Sequence, residues 1–454
     1  MMKKLSRIVS LTILLGIFTA WALTIPAFSD ADFPIVGRWN FDYNTIDSSW
    51  KGNNGSLYPN IPYVYVPGVH RYGIKFNGFN YVQVPDSPSL NFGAGDFSIS
   101  GWVTTTSTKT LNTIIDKRQT ANGPGYLVAL NNGSLLCQIG GSSGNESFID
   151  MSIRPLLNDG ALHSFAITVN HYPQFEVRFY IDGVLKRAFI PTSNLGSSSN
   201  TAPLYIGKNI MDSSANFVGL IDEIIFCDWM ISANLVYQTF LNGSCTGKWG
   251  LDSSAVDSSG NENNGTLCGN CGFNYGRFGD ELVFTGSNYV EIPNRPTASP
   301  GIPTLNFGTG DFSISFWAAT ANTKNNNTII DKRATAGYQV TLSSGRLLLQ
   351  IATAYNSGTF CNSMSQPLND GFMHFVTITV DRDNPSGIKF YVDGTLTDTF
   401  NPTAYRGDIS NTAPLYLGKH KDNPSDNFIG SLDEVKIYKR VLTPAEISLQ
   451  YSGY

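Results

Sequence analysis

One stretch of this chain is written twice, and that limits what it can fold into more than any single residue does. Gly93 to Trp102 (GAGDFSISGW) returns as Gly308 to Trp317 (GTGDFSISFW). Asn112 to Arg118 (NTIIDKR) returns as Asn327 to Arg333, and Asn200 to Lys208 (NTAPLYIGK) as Asn411 to Lys419 (NTAPLYLGK). A period as long as a whole domain indicates a tandem duplication and not a solenoid, whose repeats are far shorter. Any fold assigned to one half must serve both.

Within each half the apolar residues alternate. Tyr81 to Val84 (YVQV), Phe97 to Ser100 (FSIS), Phe165 to Val169 (FAITV) and Val177 to Ile181 (VRFYI) are bounded by Gly, Asn, Asp or Pro. Period-two alternation with such punctuation predicts strands of a half-buried sheet. Asp182-Gly183 and Asp393-Gly394 sit between β-rich flanks and predict tight hairpins. A single short helix is expected at the C-terminus, where Thr443 caps, Pro444 takes the first helical position and Glu446 closes a capping box. The expected class is all-β, with two tandem antiparallel β-sandwich (jelly-roll) domains over 30–244 and 245–454. Each is long enough for one large core. Only Asn242 to Ser244 separate them, without a Pro- or Ser-rich stalk, so the units are expected to touch.

Residues 1–29 read as a signal peptide. Lys3 and Lys4 precede an apolar run from Ile8 to about Leu23, and Ala27-Phe28-Ser29 is a small-residue exit. The run is at the lower limit for a membrane span, and no later segment is apolar enough to be one. A secreted or cell-surface location follows. The formal charge of −5 leaves no basic stripe to release counterions, which excludes nucleic acid as a partner. The six cysteines do not recur between the halves: Cys137 aligns with Leu349 and Cys227 with Tyr438. The fold cannot rest on a shared disulfide, although Cys268 and Cys271 are spaced for a tight loop disulfide in an oxidising compartment. No second Cys or His pair lies nearby to complete a zinc site.

The landmarks occur in one order in both halves. Trp39 and Asp42, the strand ending at Trp102, His163, Phe179 to Gly183 (FYIDG) and Gly219 to Glu223 (GLIDE) are matched by Trp249 and Asp252, Trp317, His374, Phe390 to Gly394 (FYVDG) and Gly430 to Glu434 (GSLDE). Their order resembles that of the laminin-G-like jelly roll of the concanavalin A-like lectin and glucanase superfamily. The resemblance implies two face-to-face antiparallel sheets and a module that binds glycans, proteins or both, often with calcium.

The candidate cation site is acidic. Asp42, Asp47 and Asn53 in the first unit match Asp252, Asp257 and Asn263 in the second, and Asp222 and Asp433 lie in the last strands. In this fold the first and last strands are neighbours, so these oxygens are expected to converge. Calcium takes six to eight hard oxygen ligands, with loop carbonyls filling in. The competing reading is that these residues make Asx-turns. Ligand candidates are residues the duplication does not require. They are Trp50, which stands where the second unit has Gly260, with Tyr58, Tyr63 and Tyr65 in the first unit and Tyr355 and Phe360 in the second. Aromatic rings in polar loops suit stacking on a pyranose face, and they equally suit loop packing. The recurring Trp39, Trp249, Trp102 and Trp317 are expected in the core. No Glu-x-Asp-x-Glu strand, Ser-His-Asp order or His-Glu-x-x-His motif is present, so catalysis is not expected. The sequence reading is a secreted, non-catalytic carbohydrate-binding protein stabilised by calcium, acting on glycans. The alternatives are a structural or adhesive module that binds cell-surface or matrix proteins, and then a glycan-active enzyme.

Overall fold

The structure is a computed structural model that describes residues 35–59, 64–172, 174–192, 194–294, 305–353, 356–363 and 367–452. The expected signal peptide lies outside them. No helix among the described residues is long and apolar enough to cross a membrane.

Each half forms a sandwich of one eight-stranded and one seven-stranded antiparallel sheet. The larger sheet of the first half runs Val184–Phe189, Glu176–Ile181, His163–Asn170, Phe97–Thr104, Val218–Cys227, Tyr72–Asn77, Tyr65–Pro67, with Ile35–Trp39 also paired to Val218–Cys227. The second half repeats this order strand for strand. Register repeats as well: Trp102 stands opposite Asp222, and Trp317 opposite Asp433.

The alternation in sequence becomes two faces. In Tyr81–Val84, Val82 and Val84 are fully buried between the sheets, while Tyr81 and Gln83 lie half-exposed on the outer face. The two Asp-Gly hairpins form as expected. Asp182 and Gly183 take φ 50° and 73°, and Asp393 and Gly394 take 50° and 76°, the pair of positive values that a two-residue turn needs to match strand twist. All four recurring tryptophans are buried. Trp39 packs between the sheets, edge-on to Phe226 at 5.6 Å. Trp317 belongs instead to a second small core with Phe375, Tyr391 and Ile447.

That second core is roofed by a helix. α2 (Pro444–Ser452) has the expected capping box: Thr443 N–H donates to Glu446 Oε2 at 2.6 Å, and Glu446 N–H to Thr443 Oγ1 at 3.3 Å. The expectation of a single helix is incomplete. The first half has its own, α1 (Ala233–Gly243), capped by Ser232 Oγ, which accepts the Leu235 N–H at 3.2 Å. It lacks the Pro and Glu that announce α2, and its Phe240 stacks on Trp102 at 5.7 Å.

The units touch, as the short connection predicts. Arg71 of the first pairs with Glu262 of the second at 2.8 Å. Arg440 of the second donates to Ser244 Oγ at 2.9 Å and lies over the Phe240 ring. All six cysteines are free thiols, which corrects the expected Cys268–Cys271 disulfide. Between Thr266–Cys268 and Gly272–Tyr275 the chain crosses from the smaller sheet to the larger, and each thiol faces a backbone carbonyl at 3.6 Å.

Candidate functional site

The eight expected metal ligands divide into two places in each unit. Asp47 accepts the amides of Arg38, Ser49 and Asn53 at 2.9, 2.9 and 2.8 Å. Asp257 does the same for Lys248, Ser259 and Asn263. Three amide donors occupy most of a carboxylate's acceptor capacity. Asn53 Nδ2 donates to the Val36 carbonyl at 2.6 Å, and Asn263 Nδ2 to the Thr246 carbonyl at 2.9 Å. Asp47, Asn53, Asp257 and Asn263 therefore organise turns, the competing reading of these residues.

Asp42, Asp222, Asp252 and Asp433 form the second place. Asp42 Oδ1 accepts the Tyr72 amide at 3.0 Å, and Asp252 Oδ1 the Asp280 amide at 2.7 Å. Adjacent Asp and Glu on a regular strand point to opposite faces, but here the strand is bulged. Glu223 and Glu434 take φ 48° and 47°, and the register slips at each. The bulge keeps Glu434 near enough to act on Asp433.

Asp433 is fully buried, and neither of its oxygens has a hydrogen-bond partner. Burial, then the charges of Glu434 and Asp252, push its carboxyl up to about 8, against a smaller pull from the nearby amides of Glu434 and Phe278. Burial and Glu223 likewise raise Asp222 well above the carboxylate range. Glu434 stays below its ordinary value despite burial, because Lys436 at 2.8 Å and Lys248 hold it ionised. Among the described residues, no three Asp, Glu, His or Cys side chains converge as a ready-made metal cage. Any ion here would take carboxylates in pairs and complete its shell from carbonyls or water.

The aromatic candidates also separate. Trp50 is 97% exposed at φ 66°, on the turn that Asp47 holds. Tyr58 is exposed at the edge of the smaller sheet and stacks on Tyr81 at 5.7 Å. Tyr65 lies at the edge of the larger sheet, 5.7 Å from the Tyr43 ring. No described ring contact joins Trp50 to either tyrosine. Tyr63 and Tyr355 lie outside the described residues, and Phe360 is placed only by its backbone pairing with Gln350.

Sequence reasoning passed over an aromatic pair that both units share. Tyr81 and Tyr205 meet edge to face at 5.8 Å, with Lys208 Nζ 4.1 and 4.6 Å from their ring centres. Tyr289, Tyr416 and Lys419 repeat this. The signal was available: each tyrosine holds an outward position in an alternating strand.

The fold is a tandem pair of antiparallel β-sandwiches. A laminin-G family model described as the concanavalin A-like lectin/glucanases superfamily matches residues 76–234 and 284–448. The two spans cover more than half the sequence, and the chain belongs to this family. It is similar to human (Homo sapiens) Adhesion G-protein coupled receptor D1, 30% identical over 122 residues, which are 26% of this chain and 13% of the receptor. It is also similar to the mouse (Mus musculus) Sushi, von Willebrand factor type A, EGF and pentraxin domain-containing protein 1, 28% identical over 92 residues, 19% of this chain and 3% of that protein. The chain thus spans only a small part of either relative. Among solved structures, domain 4 of AbnA, a GH43 extracellular arabinanase from Geobacillus stearothermophilus in complex with arabinotriose, is 19% identical, covering 45% of this chain and 97% of that one at a TM-score of 0.36. The binding domain of Paraclostridial Mosquitocidal Protein 1 is 12% identical, covering 87% and 99% at a TM-score of 0.43.

Proposed function

We propose that this is a secreted, non-catalytic carbohydrate-binding protein whose sandwich is stabilised by calcium. The observation that carries the sugar reading is Trp50. A tryptophan 97% exposed has no packing role in its own unit, and the turn beneath it is fixed by three amide bonds to Asp47. A rigidly presented ring is suited to stacking on a sugar face.

Two observations fit a calcium ion in the second unit. Asp433 is buried without a partner, and burying an uncompensated charge is strongly unfavourable. Gly250, Gly276 and Gly279 form a cradle around the acids. A Cβ at Gly250 would stand 2.8 Å from Asp252 Oδ2 and 3.4 Å from Glu434 Oε1, and one at Gly276 3.1 Å from Asp433 Oδ2. Asp433 and Asp252 would hold the ion, clipping the last strand to the segment that follows the first. Its role is to supply fixed positive charge.

A glycan array probed with and without chelator tests the reading, with the Trp50→Ala variant alongside. Binding that survives Trp50→Ala undiminished removes Trp50 from the site. The adhesive alternative is favoured by the same exposed ring, since tryptophan is a frequent anchor of protein interfaces. It predicts a silent glycan array and capture of a matrix or cell-surface protein that Trp50→Ala weakens.

A further inference from the structure

The duplicated units do not build this acidic pocket alike. Gly276 has its counterpart in Gly68, but Asn40 stands in the place of Gly250 and Arg71 in the place of Gly279. In the second unit a side chain at position 279 would collide with Asp252 Oδ1, so glycine is what allows that carboxylate to lie against the hairpin. In the first unit Asn40 fills its position and accepts Arg38 Nε at 3.1 Å.

Arg71 is unusual for its backbone. It takes φ 56° where Gly279 takes 95°, a region that glycine enters freely and other residues seldom occupy. Its charge helps to hold the Asp42 carboxyl down against burial. Its guanidinium also reaches out of the unit to Glu262 at 2.8 Å.

The acids differ to match. Asp222 Oδ2 accepts the Val69 amide at 2.7 Å and its Oδ1 the Glu223 amide at 2.8 Å. Asp433, its equivalent, has the amides of Glu434 and Phe278 nearby, but neither reaches hydrogen-bonding geometry. In the second unit the nearby Lys436 pairs with Glu434 at 2.8 Å.

We infer that only the second unit takes a divalent cation, and that Arg71 is the first unit's built-in substitute, turned to tie that unit to Glu262. The inference rests on the calcium reading above. A fixed guanidinium beside Asp42 opposes a divalent ion by direct repulsion, and each Asp222 oxygen already accepts one amide. In the first sandwich this hairpin meets the second unit through Arg71 and Glu262. An arginine there serves both the acid and the junction.

Calcium titration calorimetry on the chelator-stripped full chain tests this. One calcium per chain is expected. Asp433→Asn should abolish binding and Asp222→Asn should leave it intact. The double change Asn40→Gly, Arg71→Gly should raise the count to two, since glycine accepts the positive φ and re-creates the cradle. Two ions in the unmodified chain, or one that disappears with Asp222→Asn but not with Asp433→Asn, overturns the inference and leaves the calcium reading standing. A double variant that stays at one ion removes Arg71 and Asn40 from the explanation. No binding at all overturns the calcium reading and the inference with it. If Asp433→Asn fails to fold, the count in the unmodified chain and in Asp222→Asn still decides.

Discussion

The Trp39 indole N–H donates to the Asn53 carbonyl, fourteen residues on, at 3.0 Å, and in the second unit Trp249 does the same to Asn263, also fourteen residues on, at 2.9 Å. A core tryptophan thus holds the turn that presents Trp50, and Asp47 holds it from the other side. The presentation of an exposed ring is thereby coupled to the packing of the core.

Asp47→Ala should therefore destabilise the protein by about 3 kcal/mol, since it leaves several amides without acceptors and each buried one costs roughly 1–3 kcal/mol. The second turn provides an internal control through Asp257→Ala, which should cost a similar amount. Denaturant melts check this, and a change under half a kcal/mol would contradict the role given to Asp47.

Trp50→Ala should leave the melting temperature close to that of the parent, because the ring buries almost nothing. Its effect should appear in binding, with a loss of about 1 kcal/mol or more for a stacked ring. Titrating parent and variant with an array-positive glycan measures both quantities.

His163 and His374 give the fold a defined pH response. Hydrogen bonding to Asp182 at 2.8 Å raises His163 against the opposing effect of burial, with Asp159 adding to it. For His374, burial lowers the value, but Asp393 at 2.8 Å and Asp370 together outweigh it. A histidine raised in the folded state stabilises fully below its unfolded value, about 6.5, and that contribution is lost as pH rises through the folded value. The melting temperature of the parent should therefore fall toward that of a His163→Gln, His374→Gln variant as pH is taken from 5.5 to 8.5. A gap that stays constant or widens contradicts this.

Thr443→Ala should cost about 1 kcal/mol by removing the cap of α2. The loss should also loosen the cover over Trp317, seen as a change in tryptophan fluorescence before global unfolding. A variant with parent stability and unchanged emission would show that the helix is held by packing alone.

Much of this architecture was legible in the chain because its signals are local. Alternation in Tyr81–Val84 fixes which side chains face inward, Asp182-Gly183 and Asp393-Gly394 fix hairpins through their own backbone preferences, and Thr443 with Glu446 closes a cap within one turn. α1 was missed because Ser232 caps it without the Pro and Glu that mark α2, and its place is set by Phe240 reaching Trp102, more than a hundred residues away. Asp47 and Asp222 both read in sequence as acids of one cation site, yet one binds turn amides and the other lies buried beside Asp42.

The sequence by itself determined two β-sandwiches of equal topology, because duplicated period-two patterns and turn residues act over a few positions. Tertiary structure decided which acids share a pocket and which one lacks a partner. Asp433, Asp252 and Gly279 come from separate segments, and whether a buried carboxylate finds a donor depends on ångström-scale packing between them. Arg71 and Gly279 differ visibly in the sequence, but only the folded pocket gives that difference a charge to balance.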